Sequence, residues 1–549
     1  MQSRNDVIQP PKHIEEHPQP ECTVAENDNG ADHEPFSIYS SKQKKMMVVC
    51  AASAAFFSPV TASIYLPALN TIADDLRVSN TQITLTVTTY LILQGIAPTF
   101  VGGFSDSAGR RPAYIICLVI YSVANLGLAL QRSYPALLVL RMVQSSGSSG
   151  TVALANAVVA DLVTSAERGS YIAYTSVSSI LGPALGPILG GVLSQYVGWQ
   201  WIFWFLLILS VAFFTPFLLF MPETCRKIVG NGSIPPPKLN QSIPTLLRDR
   251  RLRRTGEAAP FERRDELAKR RNLQFPNPLD VIGMVFSKTA GLILLSTGLL
   301  FATFYLLTAA LPSEFHRRYG LSDLQISLIY LPIAVGSTLS AFTTGKLVDL
   351  NYRRHAKRLG IATDYNRQDD LTDFPIERAR IEISGPVGVV GVLSVVGYGW
   401  MLDANVSIAG PCVMLFVFGY AMSALFNTMN ILMIDLHQGK PAAATAANNL
   451  TRCLLGAGAT AAVIPLTDSI GTGWVCTLVA VLWGALSFPM LIWLMHAGPR
   501  WRKQAKEARE KSRSEAVEAA ADISREVASV TVQTDGDMES KKDEKQSGA

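Results

Sequence analysis

Apolar residues in this chain gather into about a dozen runs of roughly 20 residues or more, parted by short polar, charged or Gly/Pro-bearing segments. As an α-helix rising 1.5 Å per residue, a run of that length crosses ~30 Å of hydrocarbon. In the first half the runs fall at about 46–68, 82–104, 112–130, 135–162, 169–193 and 200–221. In the second half they fall at about 287–311, 323–350, 383–402, 406–436, 441–466 and 472–496. The pattern predicts an all-α membrane protein with twelve transmembrane helices. Its 549 residues, 49% hydrophobic and 17% charged, would by composition alone also fit a large soluble enzyme, and the clustering of the apolar residues decides between them.

The charges lie outside the runs. Residues 1–41 carry eight acidic and two basic residues, and residues 223–271 carry thirteen lysines and arginines. Basic loops mark the cytoplasmic side of membrane proteins, so nucleic-acid binding is not inferred. Lys42, Lys44 and Lys45 before the first run place the N-terminus inside. The polar, acidic start carries no cleavable signal pattern, so the first span itself is expected to direct insertion. The organisation expected is a disordered cytoplasmic tail at 1–45, a six-helix bundle at 46–221, a cytoplasmic linker at 222–286, a second six-helix bundle at 287–496 and a cytoplasmic tail at 497–549. The seven cysteines lie mostly within apolar runs, and none is placed for an external disulfide or a metal site.

Between the second and third runs lies Gly102-Gly-Phe-Ser-Asp106-Ser-Ala-Gly109-Arg110-Arg111-Pro112, which reads as a cytoplasmic hairpin. Gly109 permits a turn, Pro112 suits a first helical turn, and the paired arginines favour the inner face. Starting 243 residues later, Gly345-Lys-Leu-Val-Asp349-Leu-Asn-Tyr352-Arg353-Arg354 keeps the Gly-x3-Asp and Asp-x3-Arg-Arg spacings but has tyrosine in place of the turn glycine. The repeat makes the chain two related halves. Asp106 can cap a helix of the other half and pair with arginine, latching the inner side, with Asp349 as its counterpart.

The first loop resembles the helix 2–3 loop of the major facilitator superfamily, and the second resembles that family's helix 8–9 loop. Ile64-Tyr65-Leu66-Pro67 resembles the end of helix 1 in twelve-spanner drug:proton antiporters. Pro222-Glu223-Thr224-Cys225-Arg226 and Asp373-Phe-Pro-Ile-Glu377-Arg378 resemble the fungal quinidine-resistance and citrate-exporter group. The resemblance implies twin six-helix bundles, alternating access, proton coupling and a fungal plasma membrane, with both termini cytoplasmic. A small-molecule substrate, protons and the lipid bilayer are the partners expected, the protein is expected to be a monomer, and no cofactor is expected.

Three helices carry the candidate chemistry. In helix 5, Gly182-Pro183, Gly186-Pro187 and Gly190-Gly191 set small residues four apart, where a neighbouring helix can approach closely. The pattern resembles the superfamily's antiporter signature, which implies export. Helix 4 holds Arg141 and Gln144, resembling the family's Arg-x-x-Gln-Gly pattern; the resemblance implies that Arg141 helps couple proton movement, and the alternative is snorkelling onto helix carbonyls. Helix 11 places Asn448 and Asn449 on the face of mid-span Arg452, so one of them can orient the guanidinium toward a ligand. Tyr90, Gln94, Tyr174, Tyr305, Asn427 and Asn430 are candidate cavity lining.

No Asp or Glu falls at mid-span. A cation pump is expected to keep a buried carboxylate, so two intramembrane arginines without one favour an anionic substrate, such as citrate or an acidic secondary metabolite. The alternative is a multidrug or polyamine antiporter, and a non-transporting sensor is the remote one. With no nucleophile–base pair, metal-ligand spacing or phosphate loop, the sequence does not read as an enzyme.

Overall fold

The computed structural model describes residues 37–163, 165–237, 240–247, 251, 278–359, 374–436, 441–504 and positions 507, 511 and 514; the backbone alone is described at 165–170, 172–181, 278–280, 349, 359, 434 and 441–443. Among these residues the fold is helical. Six long helices make the first half: α1 (Ser41–Ile64), α2 (Asn80–Ala108), α3 (Arg110–Leu130), α4 (Tyr134–Leu162), α5 (Ser165–Tyr196) and α6 (Gln200–Phe220). Six make the second: α7 (Lys288–Tyr319), α8 (Leu331–Leu359), α9 (Ile376–Asp403), α10 (Ala409–Leu436), α11 (Pro441–Ile470) and α12 (Thr472–Gln504). By length and apolarity, ten candidate spans are found among the described residues, and these include neither α4 nor α5. The inner stretch of α4 is polar, running Arg141, Gln144, Ser145, Ser146, Ser148 and Ser149.

Local chemistry sets the helix ends. Ser40, Ser79 and Ser322 each form a reciprocal capping box, with Gln43, Gln82 and Gln325, which supplies two of the otherwise unpaired amides of a helix start. Gly109, at φ +116°, is the entire connection between α2 and α3, because only glycine enters that region without strain.

The packing repeats between the halves. Helix α1 lies on α5, α2 on α4 and α3 on α4; six helices on, α7 lies on α11, α8 on α10 and α9 on α10. The halves meet where α2 packs on α11 and α5 on α8, which is also the arrangement a two-fold axis requires.

Several expected boundaries move. Helix α7 runs to Tyr319 rather than 311, which brings Glu314 into it as a buried residue. The segment after Pro67 is not a plain loop but a short helix, Leu69–Leu76. The second motif does not itself turn the chain: α8 continues through Asp349, Tyr352 and Arg354 to Leu359. Tyr352, in place of the turn glycine, stays within the helix and packs its ring 4.6 Å from that of Phe374. Tyr65, just past the end of α1, is fully buried.

Candidate functional site

Arg141 sits two turns inside α4 and is 1% exposed, so it does not snorkel. Its Cζ lies 4.2 Å from the ring centroid of Tyr65 on the segment after α1 and 4.3 Å from that of Tyr90 on α2. Nη1 donates to Gln144 Oε1 at 2.6 Å, Gln144 Nε2 donates to Asn125 Oδ1 at 2.7 Å, and Asn125 Nδ2 donates to the Tyr121 carbonyl at 2.8 Å. The i, i+3 spacing of Arg141 and Gln144 is what lets them meet. Two π faces and an amide chain thus take the place of a counter-ion, and Nε has no hydrogen-bond partner among the described residues.

Arg452 occupies the middle of α11 and is partly exposed. Its Nε and Nη2 donate to Asn449 Oδ1 at 3.2 and 2.9 Å, and Asn449 Nδ2 donates across the halves to the Gln94 carbonyl at 2.8 Å. Of the two asparagines, Asn449 therefore orients the guanidinium, while Asn448 Nδ2 is 3.5 Å from Asn430 Oδ1. Phe301 and Phe426 lie 5.0 and 5.8 Å from the Arg452 Cζ. No ion pair to Arg141 or Arg452 is found among the described residues. Gln94 is buried, with Nε2 3.4 Å from Ser58 Oγ; its Oε1 and the buried Asn448 Oδ1 have no hydrogen-bond partner among the described residues. Asn427 is exposed beside Ser423. Tyr305 packs against Gly456 on α11, and the Tyr174 side chain lies outside the described residues. Arg141, Gln144 and Tyr90 thus form one buried group within the first half, while Asn449 and Arg452, with the Gln94 backbone carbonyl, form a second across the seam; Asn448 turns instead to Asn430.

At one end of the bundle, Asp106 closes α2 and pairs with Arg110, whose Nε also donates to Asp161 at 2.9 Å. Both partners belong to the same half as Arg110. Arg111 donates to the carbonyls of Leu218 and Met221. Glu223, just past α6, accepts the backbone N–H groups of Arg110, Arg111, Thr224 and Cys225 and the Asn240 amide. Burial pushes its carboxyl above the usual range, and the four backbone donors hold it back. Gly102 faces open space, and the Asp349 side chain lies outside the described residues.

The glycines of α5 divide between two faces. A Cβ on Gly182 would sit 2.6 Å from Pro59 Cβ, and one on Gly186 or Gly190 would collide with Ser63 or the Ile64 carbonyl, so all three press on α1. Gly191 faces the other half, where a Cβ would lie 2.6 Å from Ser327 Cβ. Pro183 and Pro187 fall within the helix between them.

Sequence reading missed two features. Tyr65 beside Arg141 depends on a helix crossing that no spacing reveals. Arg380 on α9 lies 3.3 Å from Asp435 on α10, as Arg110 on α3 pairs with Asp161 on α4, so Arg380, rather than Arg353 or Arg354, takes the place of Arg110 in the second half. Aligning the helices that open each half's third span, instead of the loop motifs, would have found it.

A pseudo-two-fold pair of six-helix units with a polar seam defines a membrane transporter. The model of the Major Facilitator Superfamily matches residues 51–461, and the chain belongs to that superfamily. Among its relatives, MFS-type transporter phiD of Fungal sp. (strain ATCC 74256) is 49% identical over 86% of this chain and 71% of its own length. MFS-type transporter tstD of Talaromyces stipitatus is 47% identical over 89% of this chain and 88% of its own. Citrate exporter 1 of Aspergillus niger is 32% identical over 90% of this chain and 93% of its own. The relatives are named as transporters, and this chain is likewise a multi-pass membrane transporter rather than an enzyme.

Proposed function

We propose that the protein exports an organic acid in exchange for protons by alternating access, with a carboxylate group of the substrate held at Arg452. The observation that carries this is a mid-span guanidinium, steered by Asn449 across the seam and without an ion-pair partner among the described residues. An anion supplies the missing charge; a cation would add to the repulsion in a medium of low dielectric. The relative named as a citrate exporter supports a carboxylic acid. Arg141, sealed between rings, acts in coupling rather than as a direct ligand. On this reading the Asp106 end is cytoplasmic, as are both tails and the linker at 222–286; the bundles are 46–221 and 287–496, and the monomer resides in the plasma membrane. The signature glycines of α5 support export, and the Asp106, Asp349 and Arg110 region forms the inner gate.

The test is flux in inside-out vesicles under an imposed pH gradient, comparing labelled citrate with a cationic dye for the wild type and Arg452→Ala. Proton-driven citrate uptake that disappears in the variant is expected. Dye uptake that survives the substitution would instead place the protein with drug or polyamine antiporters.

A further inference from the structure

The end of the bundle remote from Asp106 is closed across the halves. Asp323, at the start of the short helix Asp323–Ile329 before α8, is 9% exposed. Its Oδ2 accepts the hydroxyl of Thr71 at 2.6 Å and the hydroxyl of Ser194 on α5. Both donors belong to the other half. Thr71 is held firmly there, because Asp75 on the same short helix accepts Trp199 Nε1 at 2.8 Å. Beside this contact, Asn70 Nδ2 donates to the Pro312 carbonyl at 2.8 Å, and Gly191 lets α5 come against Ser327.

The contrast with Glu314, the other buried carboxylate at this end, defines the role. Glu314 accepts Arg317, Arg318 and Thr472, all from its own half, and so ties the second bundle to itself. No basic residue pairs with Asp323 among the described residues, and the donors found for its carboxylate are hydroxyls across the seam. Charge-assisted bonds from hydroxyls are strong enough to favour closure, while each hydroxyl and the carboxylate are readily taken over by water on opening. At the opposite end, the ion pairs Arg110–Asp161 and Arg380–Asp435 stay within their own halves.

We propose that Asp323 is a gate latch, a positioning residue whose carboxylate, gripping Thr71 and Ser194, holds this end of the transport path shut and thereby sets the balance between the two access states. The role rests on the two halves rocking, as in the proposed function, but not on the identity of the substrate.

The experiment is hydrogen–deuterium exchange of the full chain in nanodiscs, comparing the wild type with Asp323→Asn, Thr71→Val and Gly191→Leu. The latch requires a reciprocal response in Asp323→Asn and Thr71→Val: exchange faster by roughly fivefold or more at 69–76, 190–196 and 323–329, and slower at the other end around 102–112, because a weakened latch moves molecules into the opposite state. Thr71→Val keeps the side-chain shape, so folding failure is not the expected cause of a change. Faster exchange at the Asp323 end alone, or unchanged exchange at both ends, overturns the latch, since a purely structural staple loosens only its own surroundings. Gly191→Leu separates the two readings by wedging this end apart, against Ser327 and the Asp323 backbone carbonyl, while leaving the Asp323 carboxylate and its two hydroxyl donors chemically intact. A reciprocal response there, with none in Asp323→Asn, would leave rocking intact and sink the latch; no reciprocal response in any variant would sink both.

Discussion

The guanidinium of Arg141 lies between the rings of Tyr65 and Tyr90, 4.2 and 4.3 Å from their centroids, and binds Gln144 rather than a carboxylate. Each ring face contributes about 0.5–2 kcal/mol to holding the charge. Tyr65→Leu and Tyr90→Leu are therefore expected to destabilise the protein by about 1–2 kcal/mol each and to cut transport sharply, read as a lowered melting temperature in detergent and as vesicle flux. Arg141→Met, which removes an unpaired buried charge, is expected to retain the melting temperature while losing transport.

Asn449 bridges Arg452 and the Gln94 carbonyl. Asn449→Ala frees the guanidinium and severs one link across the seam, without removing the charge. With bonds to a charged group worth about 1.5–3 kcal/mol, substrate half-saturation is expected to rise about tenfold or more, and less than in Arg452→Ala, by concentration-dependent flux.

The glycines of α5 differ in cost from Gly102. Gly190→Ala drives a methyl group into the Ile64 carbonyl, where backbone must shift, and is expected to cost about 1–3 kcal/mol; Gly102→Ala meets open space and is expected to be neutral within about 0.5 kcal/mol. Thermal unfolding of the two variants in the same detergent checks the difference.

Glu223 caps the start of α3 and ties the segment after α6 to it. Glu223→Ala strands those buried amides at a cost of about 1–3 kcal/mol, so proteolysis within 222–240 is expected to become faster. The neighbouring Cys225 is buried and its thiol is pushed up to about 11, so little thiolate exists at neutral pH. Maleimide labelling at pH 7.5 is expected to spare Cys225 in the wild type and to reach it in Glu223→Ala, as read by mass spectrometry.

The number of long helices, the duplication, the superfamily and the arginines set within long helices are all legible in the sequence, because each follows from local or periodic properties. A helix in lipid must satisfy its own backbone, so a run of about 20 apolar residues announces itself, and a charge within the run stands out against it. Asn449 was likewise placed by helical spacing alone, and only the choice between it and Asn448 waited for the fold. Where a local rule failed, the cause was also local: Tyr352 stands where the first copy has its turn glycine, and α8 runs through it to Leu359.

What lies opposite a side chain was decided by tertiary structure alone. Tyr65 meets Arg141 from 76 positions away, Asp323 grips Thr71 and Ser194 from the other half, and Arg380 pairs with Asp435 in place of the repeated loop arginines. Such contacts depend on how helices cross and on which face each turns to its neighbour. Crossing is set by close-packed volume summed over both helices, and no single stretch of sequence contains that sum.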